Sequence, residues 1–150
     1  MFVAMCRIVL ACFLASLAAC ASGPKYSEVK SAIPTIPADQ GRIYVFRSNS
    51  MVGAAIQPDV MLNGEKIGES KPGGFFYVDR PAGNYEIATS TEVEKKVTFV
   101  LEKGDAKYVK TSIGLGLFVG RVHPELIDPK QGQTEIEELS YIGTPLMPAK

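Results

Sequence analysis

The sharpest chemical signal in this sequence is a thiol. Cysteine occurs at Cys6, Cys12 and Cys20 and nowhere after them. Cys20 closes the stretch Leu17-Ala18-Ala19-Cys20, at the end of an uncharged apolar run over residues 8–19. Small residues precede it at 18 and 19, and a thiol is the strongest nucleophile among these side chains. With no later cysteine, the rest of the chain is expected to hold no disulfide and no zinc-finger-type metal site. His123 is the only histidine. A catalytic use would have it activate a serine such as Ser112, but nothing in the sequence brings the two together, and a surface or strand-end histidine is the favoured reading. Carboxylates such as Asp59, Glu65, Asp79, Glu86, Glu102 and Asp105 are scattered. A hydrolytic carboxylate pair cannot be recognised from their linear spacing, and solvated faces and turns are the simpler reading. Residues 128–138 lack the alternating oxygen ligands of a calcium loop. The expectation is a non-enzymatic chain with no metal and no cofactor.

The apolar run is too short for a bilayer span, which takes about 20 residues. It matches the apolar core of an export signal peptide. Arg7 alone makes its positive end; a start at Met5 would give Met5-Cys6-Arg7, a more usual layout. Leu17-Ala18-Ala19-Cys20 resembles the bacterial lipobox. That resemblance implies cleavage between Ala19 and Cys20 and diacylglyceryl and fatty-acyl (palmitate-like) chains on Cys20. Each buried methylene contributes about 0.8 kcal/mol, so two or more chains give stable attachment. A core helix with a chance cysteine, and an ordinary signal cut near Ala21 or Ser22, stay open. No Asp follows the cysteine at 21 or 22; resemblance to enterobacterial lipoproteins then implies the outer membrane, facing the periplasm.

Charge narrows the partners. Basic and acidic residues number 16 each. Loss of residues 1–19 removes Arg7 and no acid, leaving 15 against 16. A near-neutral chain argues against general nucleic-acid binding and against purely electrostatic attachment to anionic lipid.

The elements expected to carry these features are β-strands. Residues 42–48 are apolar on both faces, which places them centrally in a sheet. Residues 59–63 and 65–68 flank Asn63-Gly64, the strongest short hairpin signal because both positions tolerate positive φ. Further runs at 75–78, 85–91, 96–102, 107–113 and 117–122 are separated by turn residues. Such spacing predicts an all-β, antiparallel β-sandwich of seven to eight short strands, roughly ten residues apart. Ile136 and Leu139, beside Glu135, Glu137 and Glu138, suggest a short C-terminal helix within 134–139, with a strand as the alternative. The chain divides into 1–19 (signal peptide), 20–40 (lipidated N-terminus and tether, with at most a helical turn in 26–32), 41–142 (sandwich) and 143–150 (tail with Pro145 and Pro148).

Two apolar, glycine-bearing stretches form a candidate interaction patch: Leu115, Leu117 and Phe118 between Gly114 and Gly120, and Met51 and Val52 before Gly53. Each reads either as a buried corner of a strand or as an exposed loop that meets a partner or lipid. The buried corner is favoured for both. Tyr44, Phe46, Phe75, Phe76, Tyr77, Tyr85, Phe99 and Tyr108 include candidates for a sugar-stacking platform, but most are needed for the core.

Gly41-Arg42-Ile43-Tyr44-Val45-Phe46-Arg47, the run from Val60 through Asn63-Gly64 to Gly68, Gly73-Gly74-Phe75-Phe76-Tyr77-Val78, Pro81-Ala82-Gly83-Asn84-Tyr85 and Glu102-Lys103-Gly104-Asp105 together resemble the DUF2846 family of bacterial, often lipid-anchored proteins. Pro-x-Gly-x-Tyr also resembles PEGA-like and carboxypeptidase-regulatory-like sandwiches. The resemblance covers about residues 41–122. It implies a β-sandwich and supplies no catalytic residues. The expected function is a non-enzymatic, lipid-anchored cell-envelope protein, an accessory or protein-interaction module with an envelope partner. A glycan- or peptidoglycan-binding module is the alternative, with an envelope hydrolase behind both.

Overall fold

A computed structural model describes residues 21–89, 91, 93–114 and 120–146. In chain order the elements are α1 (Tyr26–Val29), β1 (Gln40–Phe46), β2 (Asp59–Leu62), β3 (Glu65–Glu69), β4 (Gly74–Pro81), β5 (Gly83–Thr89), β6 (Lys95–Leu101), β7 (Ala106–Gly114), β8 (Arg121–Ile127), α2 (Pro129–Ile136) and β9 (Ser140–Tyr141). A five-stranded first sheet runs β8-β7-β1-β4-β9 and a four-stranded second sheet β3-β2-β5-β6. The molecule is the expected all-β sandwich with a short C-terminal helix.

β1 is central because both of its faces are buried. Its side chains alternate across the sheet. Ile43 and Val45 enter the core between the sheets, with Val60, Leu62, Phe76, Ile87 and Leu101. Tyr44 and Phe46 enter a second core on the other side of the same sheet, with Phe75, Tyr108, Ile136 and Leu139. Each fully buried large side chain contributes about 1.5–3 kcal/mol, so both cores matter to the fold.

The second core is roofed by segments whose composition suggested a tether and a tail. Tyr26, Val29, Ile33 and Leu146 pack on it. Backbone bonds fix the roof in place: Tyr26 N to Leu139 O at 2.9 Å, Tyr141 N to Pro24 O at 2.8 Å, and Ala21 N to Pro72 O at 3.0 Å. Tyr26 meets Phe75 edge-on, with ring centroids 5.5 Å apart. The apolar residues spaced among the prolines and polar residues of this stretch had the job of covering Phe75 and Tyr44.

Turn chemistry acts where the sequence placed it. Asn63 and Gly64 take φ of 47° and 86° and close the β2–β3 hairpin. Pro81-Ala82-Gly83 carries the chain from the first sheet into the second. There the Tyr85 hydroxyl donates to the Pro81 carbonyl at 2.9 Å, so the Pro-x-Gly-x-Tyr motif is a tyrosine-braced corner.

Three details depart from the sequence expectation. Antiparallel pairing prevails, but β1–β7 and β4–β9 are parallel. Between these partners the chain leaves the first sheet and returns, which frees the strand direction from hairpin geometry. The last long strand is β8, later than the expected 117–122, and it contains Pro124 at a sheet edge, where a missing amide costs no ladder bond. α2 begins earlier than 134, because Asp128 caps it: its Oδ1 accepts from Lys130 N at 2.9 Å and Gln131 N at 3.3 Å, with Pro129 next.

Candidate functional site

The distinctive surface lies at the end of the sandwich where β1 stops and β4 starts. Arg47, the residue after β1, is 3% exposed. Its guanidinium donates to the carbonyls of Ile56 at 2.7 Å and Gly53 at 2.8 Å, and more distantly to Val52 and Ser70, each at 3.4 Å. Burial holds its pKa below the ordinary value. A buried cation solvated by carbonyls fixes a loop firmly, since each released carbonyl would leave the charge less compensated. Below it, Ser70 Oγ and Thr111 Oγ1 lie 2.8 Å apart, and the Thr111 hydroxyl donates to the Phe46 carbonyl at 3.1 Å.

The braced loop carries Met51 and Val52, which are 77% and 67% exposed. The buried-corner expectation for this stretch is therefore corrected: only Ala54 turns inward, while Arg47 holds the backbone and leaves the two larger apolar side chains outside. Gly53, at φ 65°, packs against Ile113, and Gly120 against Ile56 and Ile113. The loop after β1 thus meets the end of β7 and the start of β8 through Gly53, Ile56, Ile113 and Gly120. Leu115, Leu117 and Phe118 lie outside the described residues, as do Ala19 and Cys20.

A cleft of about 210 Å³ sits beside the loop, lined among others by Arg47, Ser48, Ser50, Lys110 and Thr111. Its second cation is already paired: Lys110 Nζ is 2.6 Å from Glu135 on α2. Despite partial burial, Lys110 and Gln131 hold the Glu135 carboxyl below its ordinary pKa.

Ser112 and His123 turn out to be directly opposed partners in the β7–β8 ladder. The sequence had no means of showing this, because the register is set by the pairing of two strands and not by local spacing. Among the described residues no side-chain hydrogen bond joins the pair, and no carboxylate bonds to His123. No group of three or more His, Cys, Asp or Glu able to hold a metal ion occurs among the described residues. Most of the candidate stacking aromatics are core: Tyr44, Phe46, Phe75, Phe76, Phe99 and Tyr108 are buried, and Tyr85 packs on the inter-sheet core.

Sequence reasoning missed a second buried cation. Arg42, 3% exposed, donates from Nε and Nη2 to Asp79 at 2.7 and 2.8 Å and from Nη1 to the Pro34 carbonyl at 2.8 Å. Its guanidinium lies 4.2 Å from the Tyr77 ring centroid. Burial opposes the charge, yet bonds to Asp79 and Tyr44 raise its pKa above the ordinary value. The signal was present as a charged residue inside an otherwise apolar central strand, which demands a partner across the ladder.

No helix among the described residues is long and apolar enough to cross a membrane. No solved structure gives a significant match. An uncharacterized protein of Haemophilus influenzae is 30% identical over 129 residues, covering 83% of this chain and 76% of its own. The family model described as "Protein of unknown function (DUF2846)" matches residues 37–122, the span from just before β1 to the start of β8. On this match and that likeness, the chain belongs to the DUF2846 family.

Proposed function

We propose that this protein is a lipid-anchored cell-envelope component: residues 1–19 direct export and are removed, Cys20 carries the acyl chains, and the sandwich is a non-enzymatic accessory or protein-interaction module held at the outer membrane and facing the periplasm. The observation that carries the reading is the boundary at Cys20. Before it runs an apolar segment of signal-peptide length ending in a lipobox-like tetrapeptide; directly after it, Ala21 is already hydrogen-bonded into the fold through Pro72. The lipobox-like tetrapeptide thus ends one residue before a backbone amide that is bound into the sandwich.

Three charged side chains at or beside the cores have structural occupations that favour a binding scaffold over a reactive centre. Arg42 is spent on Asp79, Arg47 on loop carbonyls and Lys110 on Glu135. The tyrosine-braced corner at Pro81 and Tyr85 supports kinship with PEGA-like sandwiches, which the family assignment alone does not specify. A glycan-binding surface would need exposed rings, whereas the aromatics here mostly fill the two cores.

Intact-mass analysis of the protein extracted from membranes tests the reading. The expected product begins at Cys20 and carries diacylglyceryl plus fatty-acyl mass, and Cys20→Ser accumulates as an unprocessed precursor. An unmodified product beginning at Ala21 or Ser22 overturns the anchor. Cross-linking in cells then tests the interaction role, with capture of one reproducible envelope protein by the wild type as the expected result.

A further inference from the structure

We infer that the Arg47-braced loop is a membrane-contacting tip, and that Met51 and Val52 enter the bilayer interface beside the lipid anchor. The inference rests on the Cys20 reading above and goes beyond it by fixing which end of the sandwich faces the lipid.

The argument is one of distance along the chain. Consecutive Cα atoms are about 3.8 Å apart, so a lipidated Cys20 sits one such step from Ala21. Ala21 is no free linker: its amide donates to the Pro72 carbonyl at 3.0 Å, and its Cβ lies against Gly74. The next residues in this network lead straight to the apolar loop. Gly73 N donates to Arg47 O at 3.1 Å and Arg47 N to Gly74 O at 3.0 Å, while the Arg47 guanidinium holds the Gly53 carbonyl at 2.8 Å. Anchor point and loop are therefore joined through the Pro72–Gly74 segment and Arg47. With no slack between acyl chains and folded body, the end of the sandwich that carries Ala21 must lie against the membrane.

That end has the chemistry of an interfacial contact. Met51 and Val52 are apolar, adjacent and exposed, a liability in water and an asset at a lipid surface. The nearby Lys71 is paired with Glu69 at 3.1 Å, and vesicles of no net charge isolate the apolar contact from any attraction of cations to anionic headgroups. The opposite end, where Gly104 N bonds to Gln40 O, carries the polar Lys103-Gly104 turn. It lies about 20 Å away, the length of a seven-residue strand such as β1.

The chain contains no tryptophan, so a single introduced indole reports its own position. The mature lipidated protein with Val52→Trp, and a second form with Met51→Trp, are reconstituted into phosphatidylcholine–phosphatidylethanolamine vesicles with and without brominated acyl chains. Lys103→Trp serves as the distal control. Expected are a blue shift and loss of most emission on brominated lipid for both loop variants, with neither for the control. Vesicle-bound protein whose loop indoles stay unquenched, or are quenched no more than Lys103→Trp, overturns the membrane-contacting tip and leaves the anchor intact. Protein that lacks acyl mass on Cys20 and fails to float with vesicles overturns the anchor, and the inference with it.

Discussion

Arg42 and Asp79 face each other across the β1–β4 ladder and are joined by two parallel hydrogen bonds at 2.7 and 2.8 Å. The same guanidinium reaches the Pro34 carbonyl, so one ion pair ties the central strand, its neighbour and the N-terminal roof together. Removing one partner strands the other. Asp79→Ala is expected to cost about 3 kcal/mol, because it leaves a buried cation uncompensated. Arg42→Met removes the charge and keeps most of the apolar stem, so it should cost less. Urea unfolding of the two variants checks the order; a larger loss for Arg42→Met would show that stacking on Tyr77, not the ion pair, dominates.

Gly132 in α2 faces the ring of Tyr108 so closely that an added methyl would collide with it. Helix propensity alone predicts that Gly132→Ala stabilises by about 0.8–1 kcal/mol. Overpacking costs typically 1–3 kcal/mol and is set here against a buried, stacked Tyr44–Tyr108 pair with centroids 4.9 Å apart. Packing should win. The expected outcome is a lower melting temperature in calorimetry, and a higher one would refute the tight seat of α2 on the sheet.

Tyr26 distinguishes a roof from a tether. Tyr26→Ala deletes the edge-on contact with Phe75 and opens the second core. As Tyr26 is only partly buried, a loss of about 2 kcal/mol is expected, below the 3–5 kcal/mol typical of a fully buried aromatic. Chemical denaturation that leaves the midpoint unchanged would mean that the N-terminal segment contributes nothing to the domain.

The tyrosines of the second core predict alkaline sensitivity. Burial is the leading cause that raises Tyr26, Tyr77, Tyr108 and Tyr141 above the ordinary value of 10.0, Tyr141 to about 12. In each case the folded state retains its proton at a pH where the unfolded state has lost it. Their contribution is therefore fully present below pH 10 and falls as pH rises through the folded-state values. Stability measured by denaturant titration should decline from about pH 10 upward, with tyrosinate absorbance appearing together with unfolding. Full tyrosine ionisation in a protein that stays folded would contradict this.

Alternation and turn chemistry were legible in the sequence because they are local. The two-faced apolar character of residues 42–48 predicted the central position of β1, and Asn63-Gly64 predicted its hairpin. The relationships that needed distant partners were not legible. Asp79 looked like one more surface carboxylate until the ladder set it opposite Arg42, and Ser112 met His123 only through the β7–β8 register. The prolines around residues 24–37 suggested a linker, yet Tyr26, Val29 and Ile33 between them are the residues that cover Phe75. For α2 a local signal was present in Asp128-Pro129, but the glutamate-rich stretch after it drew the expected helix too far along the chain. At the candidate site, the apolar character of Met51 and Val52 was plain; their exposure followed from Arg47, whose hold on the loop is a tertiary fact.

β1 lies between β4 and β7, and its partnership with β7 is parallel. The central strand of the first sheet therefore gains its second neighbour only once most of the chain is available, and no early hairpin can supply it. Long-range pairing of this kind slows folding. It also keeps partial chains from closing prematurely, so the sheet is completed as one late event. On the export reading proposed above, such a delay suits a polypeptide that threads a translocation channel in extended form.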